Sequence, residues 1–238
     1  MREVWLPLLL LAALGVAPLA GFAGSYETTL MARTMIFGMA AVSLSFLVGG
    51  ARLASLGPAA TGGVGAYAGA ILDAHGVTEA ARVLPAAIGA AAVFSLATGA
   101  IAIRTSGVHF IMITLAFGQM AFFTASSLAA YGGDDGYTLY GRTSVLGERW
   151  LENRQVFHFV CLGLLVVTWV KCRMFLASRF GRVLRATREN ALRVRAVGFD
   201  PYPYRLMAYV IAGAFGGMAG FLFANATEFV APSAIAAR

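Results

Sequence analysis

Val83–Ile103 reads VLPAAIGAAAVFSLATGAIAI, bounded by Arg82 on one side and Arg104 on the other. A bilayer core about 30 Å thick needs about 20 apolar residues per crossing helix, and this run meets that length without one charge. Six further segments repeat the pattern: Val4–Gly24, Thr34–Ala51, Leu53–Leu72, Val108–Tyr131, Val156–Leu176 and Leu206–Ala224. They predict an all-α fold: a polytopic transmembrane helical bundle of about seven spans, in a single domain covering residues 1–238. Composition agrees. Hydrophobic residues make up 59% and charged residues 12% of the 238, with a mean hydropathy of +0.76. A soluble domain carries about 25% charged residues, so lipid is the expected solvent.

Two spans have features of their own. Val4–Gly24 is longer than a signal-peptide core of about 7–15 residues, so it is read as a retained helix. Leu53–Leu72 holds Gly57, Pro58, Gly62, Gly63, Gly65 and Gly69. It is expected to be irregular, broken or partly re-entrant, which membranes tolerate only where protein or water surrounds the backbone.

The formal charge of +7 is concentrated. Eight of the 18 basic residues lie between Lys171 and Arg195. Cytoplasmic loops of membrane proteins are enriched in Lys and Arg. Placing the N-terminus inside puts Arg2, Arg52, Arg104 and the Lys171–Arg195 cluster on the cytoplasmic side, and an odd number of spans then leaves the C-terminus outside. No stacking aromatics interleave with the cluster, so nucleic acid is not an expected partner.

Within the cluster, Ser178–Gly198 reads SRFGRVLRATRENALRVRAVG. Phe180, Val183, Leu184, Thr187, Ala191 and Val194 recur at helical spacing, and the arginines fall largely elsewhere. This predicts one amphipathic surface helix, ended at Gly198 and followed by Pro201 and Pro203. Such a helix suits either of two uses. Anionic lipid would hold it, at about 1 kcal/mol per Arg, or a cytoplasmic protein would grip it.

The stretches Gly181–Asn190, Ala196-Val197-Gly198, Tyr204–Tyr209 and Ala219-Gly220 resemble the coupling segment of the branched-chain amino acid ABC importer permeases. Ser55-Leu56-Gly57 with Gly63–Tyr67, Gly107–Gln119 (GVHFIMITLAFGQ) and Gly132–Gly136 (GGDDG) resemble further blocks of that family, in the same order. The chain is similar to the LIV-type second permease subunit, and urea and amide permeases fall in the same class. It departs from the family pattern at Gln119, often Glu, and at Arg195, usually acidic. Family members also continue with helices beyond the equivalent of Pro232, so the chain is expected to be C-terminally truncated.

The resemblance implies a multi-pass subunit of the bacterial cytoplasmic (inner) membrane that translocates branched-chain or related amino acids. Its implied partners are ABC ATPase subunits, a homologous second permease forming a heterodimer, a periplasmic substrate-binding protein and membrane lipid. Arg182, Arg185, Arg188, Glu189, Asn190 and Gly198 are the implied ATPase-coupling residues. Ser55, Gly57, Thr114 and Gln119 are assigned to the substrate path. Gly132, Gly133, Asp134, Asp135 and Gly136 form the loop for the periplasmic partner.

The residues themselves add limits. No G-x-x-x-x-G-K-[ST] pattern occurs, so ATP hydrolysis is expected in separate subunits and this chain is read as no enzyme. Thr114 and Gln119 are polar residues within an apolar span and should face the bundle interior. They either line a route for a zwitterion or make interhelical hydrogen bonds worth about 0.6 kcal/mol. The Asp pair of GGDDG is either a partner contact or a solvated turn. His75, His109 and His158 are read as interfacial, and Cys161 and Cys172 as apolar packing residues. No cofactor, metal site or catalytic group is expected. Two alternatives remain: a stand-alone secondary transporter or channel, which requires intramembrane charges for ion coupling, and a truncated, non-transporting membrane scaffold.

Overall fold

A computed structural model describes residues 25–51, 53, 57–105, 107–139, 143–144 and 153–231. Among them are eight α-helices: α1 (Ser25–Ala51), α2 (Gly57–Ala74), α3 (Ala80–Ala102), α4 (Val108–Ser127), α5 (Arg154–Ala177), α6 (Arg179–Glu189), α7 (Ala191–Ala196) and α8 (Pro201–Thr227). A two-stranded antiparallel ribbon joins β1 (Tyr137–Thr138) to β2 (Phe229–Val230). Five helices, α1, α3, α4, α5 and α8, are long and apolar enough to cross a membrane. The chain is thus an all-α, multi-pass membrane protein. The segment Val4–Gly24 lies outside the described residues.

The bundle is built around α8, which packs against α1, α2 and α3. Without a hydrophobic force between helices in lipid, close backbone approach is what holds them together, and the sequence of α8 provides it. Ala208, Ala212, Gly213, Gly216, Gly217 and Ala219 are buried along it. A Cβ on Gly65 of α2 would run into the backbone of Gly217, and one on Gly220 would meet the carbonyl oxygen of Gly62. Ala91 of α3 presses on Gly217 from the other side. Three helices therefore meet where only glycine fits.

This corrects the expectation for the glycine-rich segment. Residues 57–74 form one continuous helix and are not broken by their glycines. Pro58 stands in the first turn, where its missing N–H would have no intrahelical partner. The glycines serve the contact with α8 and leave the helix itself intact. At 18 residues the helix is also shorter than the five clear spans and does not number among them.

The helix ends sort into two groups. At one end, Tyr202 at the start of α8 donates through its hydroxyl to the carbonyl of Ala100 near the end of α3, at 2.9 Å. Arg188 of α6 reaches Gly49 near the end of α1. At the other end, the N–H of Ala80 on α3 donates to the carbonyl of Ser144, and Thr143 bonds to Asn225 near the end of α8. The α6–α7 segment and the described residues between α4 and α5 therefore occupy opposite ends of the bundle.

Candidate functional site

The arginine-rich segment is two helices, not the single one its periodicity predicts. The break is at Asn190, whose backbone is extended (φ −154°, ψ 102°). Its side-chain oxygen accepts from the N–H groups of Leu192 and Arg193 at 3.0 and 3.1 Å, making it the N-cap of α7. Ser178 caps α6 in the same manner, accepting from Gly181 N–H. At the far end Gly198 has φ 93°. Its N–H donates to Arg195 O, and the N–H of Phe199 donates to Val194 O. That pair of bonds is a Schellman motif. Asp200 then caps α8, with Pro201 in its first turn. The expected stop at Gly198 and the proline restart are both present.

Packing accounts for part of the apolar face of this segment. The stripe Gly181, Leu184 and Thr187 on α6 is buried. Leu184 lies against Gly50 at the end of α1, and Gly181 fits against the carbonyls of Phe175 and Leu176 at the end of α5. The stripe of Gly181, Leu184 and Thr187 is thus covered by the ends of α1 and α5, while Val183 and Val194 of the same apolar face line an open groove.

Two arginines secure the same contact. Arg188 donates through Nη1 to Gly49 O at 2.7 Å, and Arg185 donates through Nη2 to Leu176 O at 3.0 Å. Both acceptors are among the terminal carbonyls that a helix leaves without intrahelical partners, and a cation there also suits the helix dipole. Arg182, Glu189 and Asn190 face the other way. With Val183, Ala186, Arg193, Val194, Val197 and Phe199 they line an open groove of about 390 Å³ between α6 and α7. Of the six residues assigned to coupling, two tie the segment to the bundle, three line this groove and Gly198 closes α7.

The residues assigned to the substrate path do not converge. Thr114 is buried in α4, its hydroxyl donating to Ile111 O of its own helix at 3.0 Å. Gln119 is exposed, contrary to the expected interior position. The reason is that α4 packs on α2 and α3 along one side only. Gln119 falls on the other side among exposed Met112, Leu115, Met120 and Phe123. Gly57 is buried at the start of α2, and Ser55 lies outside the described residues.

In the GGDDG loop the glycines do take positive φ: 92° at Gly132, 50° at Gly133 and 83° at Gly136. Asp134 and Asp135 are exposed in a short 3-10 turn, and Gly133 is buried. The loop is strapped to α8. Beyond the β1–β2 pairing, Asn225 accepts from the N–H and hydroxyl of Thr143 and donates to Phe221 O. Asn225 is only 2% exposed. Sequence reasoning missed this pair. A lone Asn between Ala224 and Ala226 near the end of an apolar span was the available signal. His158 is also corrected: it is fully buried on α5 and no interfacial anchor. Cys161 and Cys172 are buried free thiols, as read. Among the described residues no His, Cys, Asp and Glu gather in a metal-binding group.

Residues 26–237 match the family model for the permease component of branched-chain amino acid transport systems. The chain belongs to that permease family. Among curated relatives, the high-affinity branched-chain amino acid transport permease LivM of Salmonella typhimurium is 28% identical over 88% of this chain. Its namesake from Escherichia coli is 27% identical over 84%. A probable LivM permease of Methanocaldococcus jannaschii is 37% identical over 29% of the chain. This permease-family chain spans about half the length of the relatives it matches, 54% of the first and 52% of the second. No solved structure matches it.

Proposed function

We propose that the chain is a permease subunit of an ATP-driven importer for branched-chain or related amino acids, with seven spans and its N-terminus in the cytoplasm. The observation that carries this reading is the docking of α6. A basic helix whose apolar stripe is pressed onto the ends of α1 and α5, while its remaining faces are open, is placed to pass force between a soluble protein and the bundle. Separate ATPase subunits supply the energy. A homologous second permease covers the exposed face of α4, so that Gln119 meets protein or a water-filled path instead of lipid. The loop around Asp134 and Asp135, at the opposite end, meets the periplasmic binding protein. Branched-chain amino acids are favoured over urea and amides by the relatives' names.

The test is co-purification of the ATPase subunits with the full chain from membranes in which both are expressed. Gly198→Val forces a β-branched residue into left-handed backbone, at a cost of about 1–2 kcal/mol to the α7 terminus. Glu189→Lys reverses a charge in the groove. Each is expected to lower the ATPase recovered by at least tenfold. Undiminished recovery in both variants would remove α6–α7 as the docking segment.

A further inference from the structure

Arg33 interrupts an otherwise apolar face of α1. Tyr26, Leu30, Phe37, Leu44 and Val48 recur at helical spacing on that face, all exposed, with Arg33 among them. Arg33 makes no ion pair with any described residue. It stands roughly 12 Å along the helix axis from Ser25. The run Thr34–Ala51, without Asp, Glu, Lys or Arg, begins directly after it, and on α5 the similar run Val156–Val170 begins just past Arg154. Both arginines therefore stand at the edge of the apolar layer, at the end of the bundle opposite α6. They meet there: with Tyr26, Thr29 and Leu30 they line one open cleft of about 410 Å³. The carboxylates at this end of α1 and α8, Glu27 and Glu228, are not among the lining residues. The N-termini of α1 and α5 open on the same end and add to its positive potential. About one turn further along the same face of α1, Ile36, Phe37 and Ala40 wall a second opening. It is an apolar crevice of about 250 Å³ between α1, α2 and α8, floored by Gly62, Gly63, Gly216 and Gly220. The rings of Phe37 and Phe223 flank it, their centroids 5.7 Å apart.

We infer that the cleft and the crevice together hold one anionic phospholipid, its phosphate between Arg33 and Arg154 and one acyl chain in the crevice beside Phe37. The cleft carries two positive charges and no negative one from the described residues, so charge complementarity calls for an anion. The crevice is apolar and calls for hydrocarbon. A phospholipid presents both, at the depth where these residues stand. A carboxylate of a soluble protein would reach the arginines from water and leave the crevice open. An arginine at the hydrocarbon boundary is costly unless it is paired, and the guanidinium fork matches a phosphate with two parallel bonds. The site is independent of the coupling reading, since it involves neither α6 nor α7.

The experiment installs Phe37→Trp in the full chain, which places an indole at the mouth of the crevice. Bromine atoms on an acyl chain quench an indole that they touch, and the signal is read against the chain with Phe37 intact. Brominated phosphatidylglycerol and brominated phosphatidylcholine are titrated separately into the purified, detergent-solubilised protein. Phosphatidylglycerol is expected to reach half-quenching at a concentration at least tenfold lower. Adding Arg33→Gln and Arg154→Gln should bring the two lipids within twofold of each other. Both positions are exposed, so the double variant is expected to fold, which its elution on size exclusion verifies. Arg104→Gln, past the opposite end of α3, should keep the tenfold difference. Excess inorganic phosphate at matched ionic strength should leave the quenching by phosphatidylglycerol unchanged. Equal quenching by the two lipids in the Phe37→Trp chain would overturn the proposal without any arginine variant. A preference that survives the loss of both arginines would overturn it too. Relief of quenching by inorganic phosphate would assign the arginines to a free anion and remove the lipid.

Discussion

Gly65→Leu is expected to prevent the bundle from assembling in its present form. The obstructing atoms at that position are the backbone of Gly217, which cannot rotate aside as a side chain would. Overpacking costs about 1–3 kcal/mol when side chains can yield, so the expected loss is about 3 kcal/mol or more. For a protein of this size that is a fall in melting temperature of roughly 6–12 °C. Gly89→Ala supplies the contrast. It lies on α3 with nothing within 4 Å of the added Cβ, and should leave stability unchanged or raise it by about 0.5–1 kcal/mol. Thermal unfolding of the detergent-solubilised protein, followed by fluorescence-detected size exclusion, distinguishes the two. Equal melting temperatures would show that the α2–α8 crossing is not the close contact described.

Arg188→Ala is expected to separate binding from transport. The side chain does not line the α6–α7 groove, and its one bond among the described residues runs to Gly49 O at the end of α1. Charge-assisted bonds of this length are worth about 1.5–3 kcal/mol when shielded, and Arg188 is exposed, so its share is smaller. The mechanical consequence is larger than the energetic one. Coupling requires that the state of the ATPase bias the state of the helices, and this bond is one of the few ties between α6 and α1. ATPase recovery should stay within twofold of wild type, while ATP-dependent amino acid uptake by the assembled transporter falls at least tenfold. Arg188→Lys keeps the charge and loses the fork, so an intermediate rate is expected. Uptake at the wild-type rate in Arg188→Ala would show that force reaches the bundle by another route.

The spans were legible because length and apolarity are local properties: Val83–Ile103 and Val156–Leu176 differ from α3 and α5 by a few residues at each end. The end of the arginine-rich segment was legible for the same reason, since Gly198 and Pro201 act within one turn. The break at Asn190 was readable too, because Asn is a strong N-cap residue, but the hydrophobic period ran through it and outweighed the cap. The glycine-rich helix was misread because sequence alone does not say whether glycine breaks a helix or lets a neighbour approach. That distinction lives in Gly217, far away along the chain. The Thr143–Asn225 strap was illegible for the same reason, as its partners stand 82 positions apart. Gln119 was assigned to the interior on the rule that polar groups avoid lipid. On the proposed reading a second permease covers that face, and the rule then applies to the assembled pair.

The central claim is that α6 and α7 face the compartment that holds the ATPase. Its most direct test is sidedness, with single cysteines in place of Arg193 and of Asp135, exposed positions at opposite ends of the bundle. A membrane-impermeant maleimide added to intact cells with a permeable outer envelope is expected to label the Asp135→Cys protein and spare the Arg193→Cys protein. Inverted inner-membrane vesicles are expected to show the reverse. Labelling of Arg193→Cys from outside intact cells would place the arginine segment away from ATP and contradict the account.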